Sequence, residues 1–212
     1  MAGGTIVNRI NAIYRRGEGM VEDFRSARFW AQELLETALF PGARAIDATM
    51  GNGHDTLWLC QRVGDGGHVY AFDVQPAALE STGARLREAG MEARATLICA
   101  GHEHMAEHVR EPVDAVMFNL GWLPGAAHGV TTRTETTLRA AQAALELLTP
   151  GGLMTLCVYP GHDEGARELE ALLRWASGLD EKRFDAMLRC YMNQCNHPPQ
   201  MIAVKKKRGR KP

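Results

Sequence analysis

The chain has 212 residues, 45% of them apolar and 23% charged, the make-up of a soluble globular protein with room for one sizeable core. No apolar run approaches the ~20 residues a membrane-spanning helix needs, and Met1-Ala2-Gly3-Gly4 lacks a basic stretch followed by an apolar one, so a cytoplasmic protein without membrane contact is expected. The formal charge of −1 conceals an asymmetry: Lys205, Lys206, Lys207, Arg208, Arg210 and Lys211 put +6 on the last eight residues and leave 18 basic against 25 acidic residues, or −7, elsewhere. Residues 205–212 thus read either as a solvated tail or as a basic arm for phosphates, which tilts the substrate toward nucleic acid.

Residues 1–26 read as an N-terminal extension ahead of a domain spanning 27–204. Phe24, Ala27, Ala31, Leu34, Leu35 and Ala38 fall on one helical face and predict a helix over about 21–39, closed by Phe40-Pro41-Gly42. Strand-like runs follow at 43–48, 68–73, 95–100, 114–120 and 153–159. Helical patterns at 55–63, 76–89, 134–148 and 163–177 lie between most of them. Alternation with such short connections predicts a mostly parallel sheet covered by helices on both faces. The last third departs from this rhythm: the runs at 184–193 and 200–204 are separated by 194–199 alone, too short for a crossover, and must be antiparallel.

The most informative stretch is Ala45-Ile46-Asp47-Ala48-Thr49-Met50-Gly51-Asn52-Gly53-His54-Asp55-Thr56, an apolar run that stops at an acid and opens into a Gly-x-Gly turn ahead of a helix. Such a turn lets backbone approach a ligand at the free N–H groups of the helix start. Thr56 stands where a dinucleotide fingerprint would have its third glycine, so no pyrophosphate cradle is evident. A second acid, Asp73, ends the next strand-like run, where a ribose diol needs a paired acceptor. Asp47 and Asp73 together suggest an adenosine-type cofactor.

The fourth strand runs into Phe118-Asn119-Leu120-Gly121-Trp122-Leu123-Pro124-Gly125, beyond a carboxyl end, where open α/β sheets place ligands. The five cysteines include no Cys-x-x-Cys pair and read as reduced and mostly structural. His102, His104, His128, His162 and His197 are scattered without ligand spacing, and no metal site is expected. Asp163-Glu164 reads as the acidic first turn of a helix.

An open parallel sheet with a reversed last strand and a Gly-x-Gly loop after strand one resembles the Rossmann-like class I methyltransferase fold, which uses S-adenosyl-L-methionine and has seven strands with the last antiparallel. The Asn119 segment is similar to the Asn/Asp-Pro-Pro-aromatic motif of exocyclic-amine methyltransferases, with Leu120-Gly121 in place of Pro-Pro and Trp122 at the aromatic position. Together with Thr131–Thr137, Tyr159-Pro160-Gly161-His162-Asp163-Glu164-Gly165 and Asn196-His197-Pro198-Pro199, these blocks resemble the YtqB-like (MnmM) family of rRNA methylases over about 27–204.

That family includes a tRNA methyltransferase acting on the amine of 5-aminomethyl-(2-thio)uridine at the wobble position. The resemblance therefore implies a tRNA anticodon stem-loop as partner and a homodimer. It implies the methionine part of the cofactor on Asp47, Met50, Gly51, Asn52, Gly53, His54, Asp55 and Thr56, with the ribose on Asp73 and Gln75 and the adenine near Gly101 and His102. Asn119, which also borders the cofactor, would position the target amine with Leu120 and Gly121. Trp122 would stack on a base, and Tyr159, Pro160, Gly161, His162 and Glu164 would line the substrate side. The proton acceptor stays open among His162, Tyr159 and solvent. Methylation of rRNA or of a small amine, or non-catalytic RNA binding, are the alternatives.

Overall fold

Adjacent residues of the first strand, β1 (Arg44–Asp47), enter two different cores. Ala45 packs with Leu59, Val69 and Met117 on one side of the sheet, and Ile46 with Phe72, Val116 and Phe118 on the other. A strand buried on both faces reads as continuously apolar rather than alternating. The computed structural model in which this is seen describes residues 26–121 and 132–209.

Strands β2 (His68–Asp73), β3 (Ala95–Cys99), β4 (Val113–Asn119) and β5 (Leu148–Val158) run parallel to β1. Strands β6 (Phe184–Arg189) and β7 (Gln200–Lys206) form an antiparallel pair, and β7 inserts beside β5, antiparallel to it. The order is therefore β3-β2-β1-β4-β5-β7-β6, with β6 at the edge. Helices α1 (Ala27–Leu35), α2 (His54–Val63) and α3 (Pro76–Glu88) cover one face. The other face carries α4 (Met105–His108), α5 (Thr134–Leu147) and α6 (Asp163–Ser177).

The class I architecture expected from the sequence is the one observed. Two 3-10 turns, Glu92–Arg94 and His102–His104, and the short α4 were not foreseen, since one turn of helix carries no periodicity to read. The expected first helix covers 27–35 within the described residues, and its forecast part before residue 26 lies outside them.

The strand β7 runs two residues into the basic segment, because Lys205 and Lys206 continue its pairing with β5 and β6. Lys206 then bends its ammonium onto the carbonyls of Leu145, Glu146 and Leu148, at 3.0, 3.3 and 2.6 Å, where α5 ends. A cation there satisfies carbonyls that the helix leaves unpaired. Cys60 and Cys157 are buried, whereas Cys99, Cys190 and Cys195 are exposed free thiols, so fewer cysteines pack in the core than the apolar runs around them suggested. No helix among the described residues is long and apolar enough to cross a membrane.

Candidate active site

The chain leaves β1 toward β2 on one side and returns to β4 on the other, so the connections at the carboxyl ends of β1 and β4 diverge and open a crevice. A cavity of about 990 Å³ lies there. Its wall takes Met50, Gly51, Asn52, His54 and Asp55 from the turn after β1, Asp73 and Gln75 from the end of β2, and Gly101 and His102 after β3. Asn119, Leu120 and Gly121 come from β4, and Tyr159, Gly161 and His162 from beyond β5.

Three residues foreseen as cofactor contacts stand behind the wall instead. Asp47 is 1% exposed; its carboxylate accepts the Thr49 amide at 3.1 Å and the buried Thr56 hydroxyl at 2.6 Å. The two residues thus tie the start of the Gly-x-Gly turn to the helix after it. Burial first and Asp55 second push the Asp47 carboxyl up to about 7. Gly53 has φ +76°, and a Cβ there would lie 2.7 to 2.9 Å from Thr82 of α3, its backbone included. The second glycine therefore makes room for a helix.

The first glycine serves the pocket. Gly51 (φ +51°) donates its amide to Asp73 Oδ2 at 3.1 Å, while its carbonyl accepts the Thr82 hydroxyl at 3.1 Å. Asp73 Oδ1 accepts the Gln75 amide at 3.0 Å. Each oxygen keeps a lone pair for a diol, in an orientation fixed by two backbone groups. His102 is nearly buried, its Nδ1 3.3 Å from the Ala48 carbonyl and its ring edge-on to Phe118. Desolvation holds its pKa below the ordinary histidine value, so the ring is neutral with its proton on Nδ1.

On the opposite wall, the Asn119 amide N–H donates to Thr49 Oγ1 at 2.7 Å, and its side-chain Nδ2 lies 3.5 Å from Asp55 Oδ2. Asn119 Oδ1 is buried with no hydrogen-bond partner among the described residues. Burial pushes the Tyr159 hydroxyl up to about 12, outweighing its interaction with the Asn119 side chain, which lowers its pKa, so it keeps its proton. His162 is the N-cap of α6: its Nδ1 accepts the Gly165 amide at 3.1 Å. That nitrogen is committed to the helix.

Asp163 and Glu164 form the acidic first turn of α6. Glu164 also accepts the backbone amide and hydroxyl of Thr134 at the start of α5, both at 2.9 Å. Trp122 lies outside the described residues.

The structure adds to the wall Arg28, which no motif marked, and Thr132, Arg133 and Thr136 of the 131–137 block, which had been given no role. Arg28 belongs to a helix read only for its apolar face, and its reach to the cavity is a tertiary fact. His197 and Pro199 also join the wall. They belong to a motif block that had been given no role. His197 has φ +51°, the one non-glycine among the described residues with positive φ. Behind Thr132 of the wall, Glu168 is 2% exposed and accepts the hydroxyls of Thr132 at 3.1 Å and Thr137 at 2.6 Å. Among the described residues, no group of three or more His, Cys, Asp or Glu side chains is placed to hold a metal ion.

Comparison with known proteins gives consistent relatives. A family model described as "Putative rRNA methylase" matches residues 69–205. The tRNA (mnm(5)s(2)U34)-methyltransferase, chloroplastic, of Arabidopsis thaliana is 43% identical over 184 residues, which is 82% of this chain and 66% of that protein. The chain thus spans just under two thirds of that relative's length. Among solved structures, a "putative rRNA-methylase" from Clostridium thermocellum superposes with a TM-score of 0.85 at 38% identity, covering 87% of this chain and 99% of the other. A "putative methyltransferase" from Streptococcus mutans in complex with SAH gives 0.79 at 36%, with the same coverage.

Proposed function

Because the chain belongs to the rRNA methylase family, we propose that it is an S-adenosyl-L-methionine-dependent methyltransferase that converts the amine of 5-aminomethyl-(2-thio)uridine at the tRNA wobble position to the methylaminomethyl form. The observation that carries the chemistry is the Asn119 oxygen, which has no hydrogen-bond partner among the described residues and belongs to a residue lining the same cavity as Asp73 and the Gly51 turn. The nucleoside is the one for which the Arabidopsis relative is named.

The residues present fit the cofactor. Asp73 offers two oriented acceptors to the ribose diol, Gly101 and neutral His102 border the adenine, and Met50, Gly51, Asn52 and His54 border the methionine part. Bound S-adenosylmethionine supplies a methyl group on a sulfonium, already primed for displacement. What the chain adds is position: an N–H of the incoming amine donates to Asn119 Oδ1, which turns the nitrogen lone pair along the displacement line. Leu120 and Gly121 shape the floor beneath it, and Tyr159 flanks it with a protonated hydroxyl. Only the neutral amine is nucleophilic. With His162 Nδ1 capping α6 and Tyr159 holding its proton, the ammonium proton is assigned to solvent.

The partner on this reading is a tRNA anticodon stem-loop in the cytoplasm, met by Arg28 and Arg133 at the mouth. A homodimer would cover Met187 and Leu188, exposed on edge strand β6. The test is to incubate the protein with methyl-labelled S-adenosylmethionine and tRNA carrying the aminomethyl wobble uridine, and to identify labelled nucleosides by mass. Label in methylaminomethyl uridine is expected. Label elsewhere, or in rRNA or a small amine alone, would reject the substrate and keep the reaction; no transfer to any of these would reject the reaction.

A further inference from the structure

We infer that Asp55 is a positioning residue that decides which end of the Asn119 amide faces the substrate: clamped from α1 by Arg28 and Gln32, its carboxylate draws the amide nitrogen inward and leaves the oxygen for the target amine. The inference rests on the methyltransferase reading above and assigns Asp55 a task other than holding the cofactor.

Asp55, the second residue of α2, is 6% exposed. Its Oδ1 accepts Arg28 Nε at 2.7 Å and Gln32 Nε2 at 2.8 Å, while Oδ2 lies 3.5 Å from Asn119 Nδ2. A carboxylate accepts hydrogen bonds and donates none. Turning the amide over would set two acceptors against each other in a site largely closed to water, where such a mismatch is costly. The chemistry of position 55 thus fixes the amide, whose two ends are otherwise nearly isosteric. The result is an Asn119 Oδ1 that is enclosed and has no hydrogen-bond partner among the described residues, on a residue that lines the cavity, and it is the acceptor that a seated amine N–H requires.

The clamp makes one isosteric change informative. In Asp55→Asn, the two donors of α1 hold the new side-chain oxygen toward themselves, so its nitrogen faces Asn119. Asn119 then turns its own oxygen inward and presents an N–H to the cavity, where it meets the N–H of the amine. Asp55→Ala removes the constraint without reversing it. Asn119→Asp, placed in the Asp55→Asn background, restores an acceptor on both sides.

The experiment measures kcat and KM for tRNA in the labelled assay, the affinity for S-adenosylhomocysteine by calorimetry, and thermal melting for each variant. We expect Asp55→Asn to lower kcat by about tenfold or more, the scale on which a misdirected active-site hydrogen bond acts. It should fall below Asp55→Ala, with cofactor affinity within about twofold, and the double variant should regain most of the loss. A purely structural role predicts the reverse ranking, since Asn fits the space better than Ala.

Asp55→Asn no worse than Asp55→Ala, or no recovery in the double variant, would overturn the inference. So would a fall in cofactor affinity that matches the fall in rate, which would make Asp55 a cofactor ligand. Should Asp55→Ala not fold, the two isosteric variants decide. An inactive parent protein overturns the proposed function and this inference together; an active parent with an unimpaired Asp55→Asn overturns this inference alone.

Discussion

Asp47 illustrates how one residue can be legible in kind and misjudged in duty. Its carboxylate sits behind the cavity, tied to Thr49 and Thr56, and burial followed by Asp55 raises its pKa to about 7. Below the ~3.9 of an unfolded aspartate, both states are protonated and stability does not vary with pH through this group. From there to about 7 folding takes up a proton, and above 7 the folded state holds a buried charge. The stability this carboxyl contributes is therefore full at low pH and lost as pH rises to its folded pKa. Asp47→Asn carries no charge at any pH. The melting temperature of the variant minus that of the parent should grow between about pH 4 and pH 7 and level off above. A difference independent of pH would show that another group titrates.

At the scale of elements, the turn between β1 and α2 is fixed by what packs against it. Thr82 of α3 bonds the Gly51 carbonyl and lies where a side chain on Gly53 would go. Arg85, one turn further on, donates to the Asn52 carbonyl at 2.7 Å. Gly53→Ala combines a left-handed backbone with a clash against the backbone of α3, which cannot swing aside as a side-chain tip would. A loss of about 2 kcal/mol or more is expected in urea denaturation. Retained stability would mean that the turn shifts as a unit, and the cofactor affinity should then change instead.

At the scale of the molecule, the charge asymmetry read from the sequence is partly spent on structure. Lys206 caps α5, and Lys207 reaches the Glu181 carbonyl at 2.7 Å and Asp185 at 2.8 Å. Lys205 and Arg208 are exposed, while Arg210 and Lys211 lie outside the described residues. Truncation after Gly209 removes Arg210 and Lys211. It should leave the melting temperature unchanged and reduce the log–log salt slope of tRNA binding by no more than about two. An unchanged slope would reduce the segment to a solvated end.

The sequence by itself determined the order of strands and helices, the sheet they build and the crevice where a ligand belongs. Burial on both faces makes strands such as 45–46 and 115–118 continuously apolar, and helical periodicity between them implies a mostly parallel sheet covered on both faces. It also named most of the wall, because Asp73, Asn119 and the Gly51 turn end strands at the switch point. Which of those residues touch the pocket was decided by the tertiary structure alone. Gly51 and Gly53 look alike in the chain, yet one supports Asp73 and the other makes room for Thr82. Arg28 and Gln32 enter the site from α1, 27 and 23 residues away from Asp55, across a helix packing that no local pattern encodes. The same packing commits Lys206 to a helix end, since a lysine's partner is set by what lies within reach of its ammonium in three dimensions.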